Sequence, residues 1–423
     1  MPTPPDSRHL VDHLFRHEAG RMVAALTRLL GFDRLEVAED IVQETMIQAL
    51  KSWPLAGIPE QPSAWLYRVA KNKALDALRR EKTLRQIGEA WTDNGFVQTE
   101  EAMDHFFFED EITDSQLRML FACCHPSIAF ESQVTMCLKI LCGLSVREIA
   151  NAFLTSDETI TKRLYRAKEK IRSGEIRLEV PQGTQLPARL DAVLNSLYLL
   201  FNEGYNSSHP DELIRRDLCL EAMRLCLLVT QHPKLEAPEA HALLALMCFQ
   251  AARFDARTDG TGAIVLLKDQ DRTTWSRPLL DRAGHHLAQS ARGDTLSRYH
   301  LEAAIACQHA LAPRYEATNW PVILQYYDAL LEQYPSPVVA LSRAVALWEV
   351  EGPLEALIAV LRLEGLETNQ YYHTLLADLY QQTGQADRAR AHYDRALGLT
   401  SSAAEKQLIE KKKRRIEERN GLN

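Results

Sequence analysis

The chain has 423 residues, of which 46% are apolar and 25% charged, and its net charge is −8. These values exclude a mostly disordered chain, a collagen-like fibre and a coiled-coil rod, and the length indicates about two to three domains. Because the net charge is negative, any binding to nucleic acid depends on local basic patches. No apolar run is long enough for a membrane span, and the N-terminus lacks the layout of a signal peptide. We therefore expect a cytoplasmic protein with reduced thiols.

Residues 35–53 predict an amphipathic helix. Its outer face presents Asp40, Gln43 and Glu44. Taken alone, such an acidic face is usually no more than a solvated surface. The opposite, core-facing stripe has helical spacing and consists of Leu35, Ala38, Ile41, Val42, Thr45, Met46, Ala49, Leu50 and Trp53.

Residues 63–82 predict a second helix, with Ser63 as its N-cap. Seven bases and two acids lie between residues 65 and 85, so this segment carries +5 in a chain of net charge −8. Trp65 and Tyr67 stand at its start. Basic side chains beside aromatic rings suit a nucleic-acid backbone and unstacked bases. A solvated basic face with core aromatics is the alternative.

Residues 86–114 contain nine acids and neither Lys nor Arg. With only short apolar clusters, this composition predicts an extended acidic linker.

Residues 144–172 predict two helices joined by a tight turn. Ser145 with Glu148, and Thr155 with Glu158, have the spacing of capping boxes. The second helix turns Ile160, Leu164, Ala167 and Ile171 inward. Its other face is basic and carries Thr159, Lys162, Arg163, Arg166 and Lys170. This pattern indicates a helix-turn-helix whose second helix can enter the major groove; an ordinary helical hairpin is the alternative.

These segments, in this order, resemble the second and fourth regions of a bacterial RNA polymerase sigma factor of the extracytoplasmic-function group, within the sigma-70 family. The resemblance is carried by AEDIVQETMIQAL (38–50), WLYRVAKNKALDALRR (65–80) and LSVREIANAFLTSDETITKRLYRAKEKIR (144–172). Leu154 stands where family turns often carry Gly. Family members commonly end near residue 180, whereas this chain continues. It is similar to the subgroup with a tetratricopeptide-like C-terminal extension, which is thought to control activity.

The resemblance implies a role for each segment. Core RNA polymerase, through its β′ clamp helices, would bind Asp40, Gln43 and Glu44, and its β flap would receive the fourth region. The acidic linker would thread the RNA exit channel. The −10 element of promoter DNA would be melted and read by Trp65, Arg68, Lys71, Asn72 and Arg79. The −35 element would be read by Thr159, Lys162, Arg163 and Arg166.

The last third contains a degenerate repeat of 33 to 34 residues, which resembles tetratricopeptide repeats. Residues 337–369 and 370–403 are two copies, and 304–336 is a weaker one. Matching positions hold Ala344 and Ala377, and Ala356 and Ala389. Because one such helix pair cannot bury its apolar face, stacking is required. A generic helical bundle is the alternative. Stacked repeats offer a surface for a protein or peptide ligand.

Three other clusters favour structural roles. A zinc site is disfavoured because the paired C-x-x-C spacing is missing among Cys123, Cys124, His125, Cys137 and Cys142. We interpret Gly204 in FNEGYN (201–206) as a helix C-cap. We interpret KKKRR (411–415) as a solvated helix face. The apolar run 263–267 reads as a short strand. The aspartates of 255–271 suggest a polar loop; a charged interface with the sigma segments, through Arg257, Asp259, Asp269, Asp271 and Trp275, is a further hypothesis.

We therefore predict an all-α protein: two small helical sigma domains, the second a helix-turn-helix, and a helical tetratricopeptide-like extension. The boundaries are 1–85 (region 2), 86–114 (linker), 115–180 (region 4) and 181–423 (extension, with repeats over about 304–403). We expect no enzyme activity, catalytic residue, metal or cofactor. Two alternatives stay open: a DNA-binding regulator with a repeat scaffold that does not bind polymerase, and a hydrolase using the aspartate-rich loop 255–271.

Overall fold

The computed structural model describes residues 7–86, 109–153, 155–174, 176–181, 186–207, 213–232 and 235–420. Eighteen helices make up the described chain, which confirms the all-α prediction. The first eight are α1 (Ser7–Leu30), α2 (Leu35–Ala56), α3 (Pro62–Gln86), α4 (Glu109–Cys123), α5 (Phe130–Ile140), α6 (Val146–Ala152), α7 (Asp157–Arg172) and α8 (Leu186–Tyr205). The remainder are α9 (Arg216–Gln231), α10 (Pro238–Ala251), α11 (Arg277–Ser290), α12 (Arg298–Leu311), α13 (Trp320–Gln333), α14 (Pro337–Glu351), α15 (Pro353–Leu361), α16 (Gln370–Gln382), α17 (Ala386–Leu399) and α18 (Ala403–Asn420).

Two compact units divide the chain. The first is Met1–Leu200 with Leu220–Leu228, and the second is Phe201–Cys219 with Val229–Asn423. The strand predicted over 263–267 is wrong, because the structure forms only an isolated bridge between Thr258 and Ile264. The hydrogen bonds from Asp259 N–H to the Ala263 carbonyl oxygen and from Val265 N–H to the Arg257 carbonyl oxygen make up this bridge, and a 3-10 helix begins two residues after Val265, at Leu267.

Helix α1 lies at the centre of the first unit. Five consecutive residues, 22–26, are all buried. A helix at a surface buries one stripe only, so burial on every side means that neighbours surround it. Those neighbours include α2, α3 and α4. At Gly20 a Cβ atom would lie 2.2 Å from the carbonyl oxygen of Leu141, so only glycine permits this approach. The two predicted sigma segments therefore share one core.

The start of α4 corrects the predicted linker. Residues 109–114 are helical, and Arg28 of α1 holds them through Glu111 at 2.6 Å and Asp114 at 3.0 Å. A cation on a neighbouring helix neutralises these carboxylates, which composition alone cannot reveal. The rest of the predicted linker, residues 87–108, lies outside the described residues, as does Leu154 in the predicted turn.

The first unit continues past residue 180 into α8 and α9. Val193, Leu197 and Leu200 of α8 are buried, and Arg224 of α9 donates a hydrogen bond of 3.1 Å to the Gln116 side chain on α4. Most of α8 and the middle of α9, which lie beyond the minimal sigma segments, are thus part of the same compact unit.

The second unit stacks antiparallel helix pairs. Small residues 33 positions apart are buried where the paired helices approach, namely Ala344 with Ala377 and Ala356 with Ala389. The larger side chains Val360 and Tyr393, also 33 apart, are fully buried between them. This packing accords with the repeat pattern, and the tetratricopeptide interpretation stays a prediction.

Helix α18 covers the end of these pairs. Asp378 accepts hydrogen bonds of 2.5 Å from both the buried Tyr393 and Lys412, and Lys413 lies 2.6 Å from Asp394. Two cations of the KKKRR segment are therefore bound to carboxylates of α16 and α17.

Gly204 is not the C-cap that the sequence predicts. It lies within α8, and a Cβ atom there would come within 2.7 Å of Cys219 Sγ and 2.8 Å of the Arg215 carbonyl oxygen. Its role is to let the end of α8 contact the start of α9, an approach that local sequence does not show.

Candidate nucleic-acid interface

The outer face of α2 is exposed where the sequence predicts it. Asp40, Gln43 and Glu44 are all exposed. Apolar side chains lie among them, with Ile47 50% and Leu50 55% exposed. Leu50 is therefore wrongly assigned to the buried stripe. Acids with exposed aliphatic side chains form a surface suited to a protein partner.

A salt bridge connects this face to α3. Lys73 Nζ donates to Glu44 Oε2 at 2.8 Å. That hydrogen bond, together with the lysine charge, lowers the pKa of Glu44. One of the three predicted docking residues is thus already paired within the unit, whereas the sequence gives no sign of the pairing.

Helix α3 presents most of its predicted DNA-binding residues. Arg68, Asn72 and Arg79 are exposed, and Lys71 is half-buried. Leu75, which the helical pattern places on the basic face, is buried. Arg79 lies 3.7 Å from Asp76. Because this ion pair is exposed, it contributes little to stability.

The predicted aromatic residue Trp65 is held in place by another tryptophan. Its ring contacts Trp53 edge-on at a centroid distance of 5.6 Å, and Trp53 contacts Phe15 at 5.7 Å. Trp53 is buried, while Trp65 is half-buried. An aromatic ring partly open to solvent and supported from below is placed to stack with a base.

Glu18 is a buried residue that sequence reasoning missed. It accepts hydrogen bonds of 2.9 Å from Ser63 and 2.8 Å from Tyr67, at the start of α3. Burial raises the pKa of Glu18, but hydrogen bonds from His17, Tyr67 and Ser63 and the charge of Arg21 outweigh it and lower the pKa to about 2. Tyr67 is therefore a structural residue. The one sign of this structural role in the sequence is an acidic residue, Glu18, close to the apolar stretch 22–26 of α1.

The turn between α6 and α7 confirms one predicted cap and corrects another. Ser145 and Glu148 form the expected reciprocal bonds, of 3.2 Å and 2.7 Å. At α7 the cap is Ser156, whose hydroxyl accepts from the Thr159 backbone at 3.2 Å. Thr155 stands one residue before the N-cap position, because the helix begins at Asp157, and its backbone N–H donates to the Ala150 carbonyl oxygen of the preceding turn.

Helix α7 has the two faces that its sequence predicts. Ile160, Leu164, Ala167 and Ile171 are buried. On the other face Lys162 and Arg166 are exposed, and Thr159 and Arg163 are half-buried. Lys162 lies 2.7 Å from Glu158, an exposed pair that leaves the lysine available.

A groove of about 820 Å³ runs along this basic face. All four predicted −35 residues line it, together with Lys170. The start of α5 forms the opposite wall. Tyr165, which the sequence analysis missed, also lines the groove and is 65% exposed. Four cations face two acids, Glu131 and Glu169, in the lining of the groove. Its net positive charge and exposed aromatic ring match the chemistry of a DNA backbone and base edges.

Arg163 differs from its neighbours on α7. Its guanidinium stacks over the Phe153 ring, 5.4 Å from the centroid. Its Nη1 atom is buried and has no hydrogen-bond partner among the described residues. Arg163 therefore supports the turn as well as lining the groove, whereas Arg166 has no carboxylate partner in the described part of the chain.

The aspartate-rich loop does not assemble a hydrolytic centre. Asp259 accepts hydrogen bonds from Thr261 and Ala263 of its own turn, and Asp271 accepts from Thr273. These bonds lower the pKa of both exposed aspartates. A general acid needs the opposite shift, so neither aspartate is suited to that role.

The other loop residues have structural roles within the second unit. Arg257 stacks on Tyr205 at 3.7 Å and bonds Asn206 at 2.6 Å. Arg272 donates to the Ala312 carbonyl oxygen at 2.6 Å. Trp275 is buried, with the guanidinium groups of Arg253 and Arg272 against its ring. Arg257, Arg272 and Trp275, which the sequence suggests for an interface, thus make their contacts within this unit.

The four clustered cysteines are buried in the first unit. Cys124 Sγ lies 3.7 Å from Cys137 Sγ, and burial raises the pKa of the Cys124 and Cys142 thiols. Among the described residues no group of three or more His, Cys, Asp or Glu side chains could hold a metal ion. None of the helices in the described ranges is long and apolar enough to cross a membrane.

Comparisons with known proteins agree with this arrangement. Residues 14–83, which span α1 to α3, match sigma-70 region 2, and residues 189–291 match a family of unknown function, DUF6596. The uncharacterized protein R00370 of Rhizobium meliloti is 41% identical over 394 residues, covering 91% of this chain and 92% of that protein.

The chain belongs to the same family as R00370, and its residues 14–83 match sigma-70 region 2. Among its sigma relatives, ECF RNA polymerase sigma factor SigW of Bacillus subtilis is 26% identical over 147 residues, covering 34% of this chain and 78% of SigW. SigL of Mycobacterium tuberculosis is 26% identical over 136 residues, covering 32% and 72%. No solved structure matches. The region 2 match and these partial sigma factor relatives support a sigma factor role.

Proposed function

We propose that the chain is a sigma factor that binds core RNA polymerase and directs promoter-specific transcription initiation. The observation that carries the proposal is the match of residues 14–83 to sigma-70 region 2. Within that match the three predicted docking residues of α2 are exposed together. As a specificity subunit the chain needs no catalytic residue of its own.

Each interface has an assigned partner in this proposal. The exposed face of α2 binds the β′ clamp helices through Asp40, Gln43 and Glu44. The exposed face of α3, with Trp65, Arg68, Lys71, Asn72 and Arg79, opens and reads the −10 element. The groove along α7 receives the −35 element through the predicted helix-turn-helix, while the β flap contacts the same region.

We assign control of activity to the C-terminal extension. The DUF6596 match and the stacked helix pairs lie outside residues 14–83, the segment that matches region 2. Stacked helix pairs form extended surfaces that bind proteins or peptides. We expect the tetratricopeptide-like pairs to carry that ligand.

Reconstituted transcription tests the proposal. Full-length chain is added to core polymerase and fragmented DNA from the source genome, and the 5′ ends of the transcripts are mapped. We expect new start sites that share an upstream sequence motif and that depend on both the chain and the polymerase. Sequence-specific DNA binding without polymerase binding would favour the DNA-binding regulator instead.

A further inference from the structure

The basic end of α7 is attached to the acidic start of α2. Lys168 Nζ lies 2.7 Å from Glu39 Oε2, with side-chain exposures of only 24% and 13%. Arg172 Nη2 lies 2.5 Å from Glu36 Oε2. The Glu36 carboxylate, through its hydrogen bond and its charge, raises the pKa of Arg172. Two ion pairs lie side by side where α7 meets α2, in addition to the packing of α7 on Phe32–Arg34 and on α5.

This contact occupies the same helix as the proposed polymerase face. Glu36, Asp40 and Gln43 have the i, i+4, i+7 spacing that places side chains on one side of a helix. Glu36 is four residues from Asp40, about 6 Å along the axis. A partner seated on Asp40 and Gln43 therefore meets the end of α7 within about one helical turn.

The contact also restrains the proposed −35 helix. Arg166 precedes Arg172 by six residues, about 9 Å along α7. While Lys168 and Arg172 hold α2, the groove face of α7 stays close to region 2. The −10 and −35 elements are separate sites on DNA, so an α7 held at α2 cannot reach its element independently.

Charge pairs of this kind suit a reversible contact. The exposed Arg172–Glu36 pair is weak and is screened by salt, whereas the less exposed Lys168–Glu39 pair is screened less. The apolar packing around α1, by contrast, is buried and insensitive to salt. Contact by charge at the start of α2 can be lost while the core around α1 persists.

We propose that Glu36 and Glu39 with Lys168 and Arg172 form an autoinhibitory clasp. In the clasped state α7 covers the head of the α2 face, so core polymerase and α7 compete for it. Release of the clasp exposes the whole α2 face to core polymerase. This inference rests on the proposed function, since it regulates the same interface.

The clasp is tested by measuring the affinity of the chain for core polymerase in the absence of DNA. Without DNA, the removal of cations from α7 cannot change the measured affinity through weaker DNA binding. The opening variant is Lys168→Gln with Arg172→Gln in the full chain, which leaves α2 intact. We expect it to bind core polymerase about three- to tenfold more tightly than wild type, because a larger fraction is competent. The matched control, Lys406→Gln with Arg395→Gln, removes one lysine and one arginine that are exposed in the second unit and should bind as wild type does.

A closing experiment gives the opposite readout. Glu36→Cys and Arg172→Cys are joined by a short cleavable bifunctional thiol reagent, with each single-cysteine variant and the treated wild type as controls. We expect the joined chain to lose about tenfold or more in core affinity, and cleavage to restore it. Equal affinity before and after cleavage overturns the clasp while leaving the sigma function intact. If no form binds core polymerase, the sigma function fails, and the clasp fails with it.

Discussion

Lys73 donates a hydrogen bond of 2.8 Å to Glu44, which joins the basic helix α3 to the acidic face of α2. The two faces that the sequence assigns to different partners are thus electrostatically connected. Glu44 is also 63% exposed, so it can bind a partner only by sharing or giving up Lys73. Asp40, which has no such pair in the described part of the chain, is the cleaner probe of docking.

Asp40→Arg should abolish core polymerase binding while leaving the fold intact. The side chain is exposed, and exposed substitutions usually change stability by no more than about 0.5 kcal/mol. Reversed charge on a protein interface costs affinity through like-charge contact. Pull-down of core polymerase by full-length chain measures the loss.

Glu355→Arg is the matched control, because Glu355 is exposed on α15 and far along the chain from α2. It should bind core polymerase at wild-type strength. Wild-type pull-down by Asp40→Arg would show that α2 is not the docking face.

The buried carboxylate of Glu18 should make the first unit sensitive to acid. Its pKa is about 2 in the folded state, compared with 4.5 for an unperturbed glutamate. A group with a lowered folded pKa contributes stability above its unfolded pKa, and the contribution is lost as pH falls from 4.5 toward 2. The shift corresponds to at most about 3 kcal/mol.

Glu18→Gln removes this carboxylate and isolates its contribution. We expect faster amide hydrogen exchange in α1 and α3 near pH 7, and a difference from wild type that shrinks as pH falls below 4.5. Glu60→Gln, at an exposed position, should exchange as wild type does at every pH. A difference that persists undiminished at low pH contradicts the assignment.

Arg166 and Arg163 should respond differently to alanine. Arg166 is exposed in the groove, so Arg166→Ala should weaken promoter binding by about 1 to 3 kcal/mol if it reads a base, or reduce the salt slope by about one unit if it contacts phosphate. Arg163→Ala should also lower thermal stability, since its stacking on Phe153 is lost.

Promoter binding by holoenzyme, measured at several salt concentrations with a thermal melt of each variant, separates the two effects. Tyr165→Phe keeps the ring in the groove and is the conservative comparison. Unchanged promoter binding by the Arg166→Ala variant at every salt concentration would remove Arg166 from the interface.

The helices and their buried faces could be read from the sequence, because apolar side chains recur at helical spacing. The inward set of α7 is confirmed in full. Glu18, the Glu44 pair and the Glu39–Lys168 pair could not be read, since each joins residues far apart in the chain. Gly20 and Gly204 depend on close approach between helices, which no local pattern encodes. The Thr155 cap failed because two adjacent hydroxyl residues have similar capping propensity.

The first unit extends past residue 180, and this decides where the chain can be truncated without damage to that unit. A chain ending at residue 180 loses α8, whose Val193, Leu197 and Leu200 are buried, and loses the Arg224–Gln116 hydrogen bond. Exposing that apolar surface should lower the melting temperature or cause aggregation. A chain ending at residue 232 keeps α8 and α9. It should melt higher than the shorter one.

The longer truncation is therefore the one that tests control by the extension. Promoter output from the chain ending at residue 232 should differ strongly from that of the full-length chain, at matched amounts and with verified folding. A change seen only with the chain ending at residue 180 would reflect damage to the first unit, because that cut removes its own helices. Equal output from the full-length chain and the longer truncation would show that the stacked helix pairs do not control initiation.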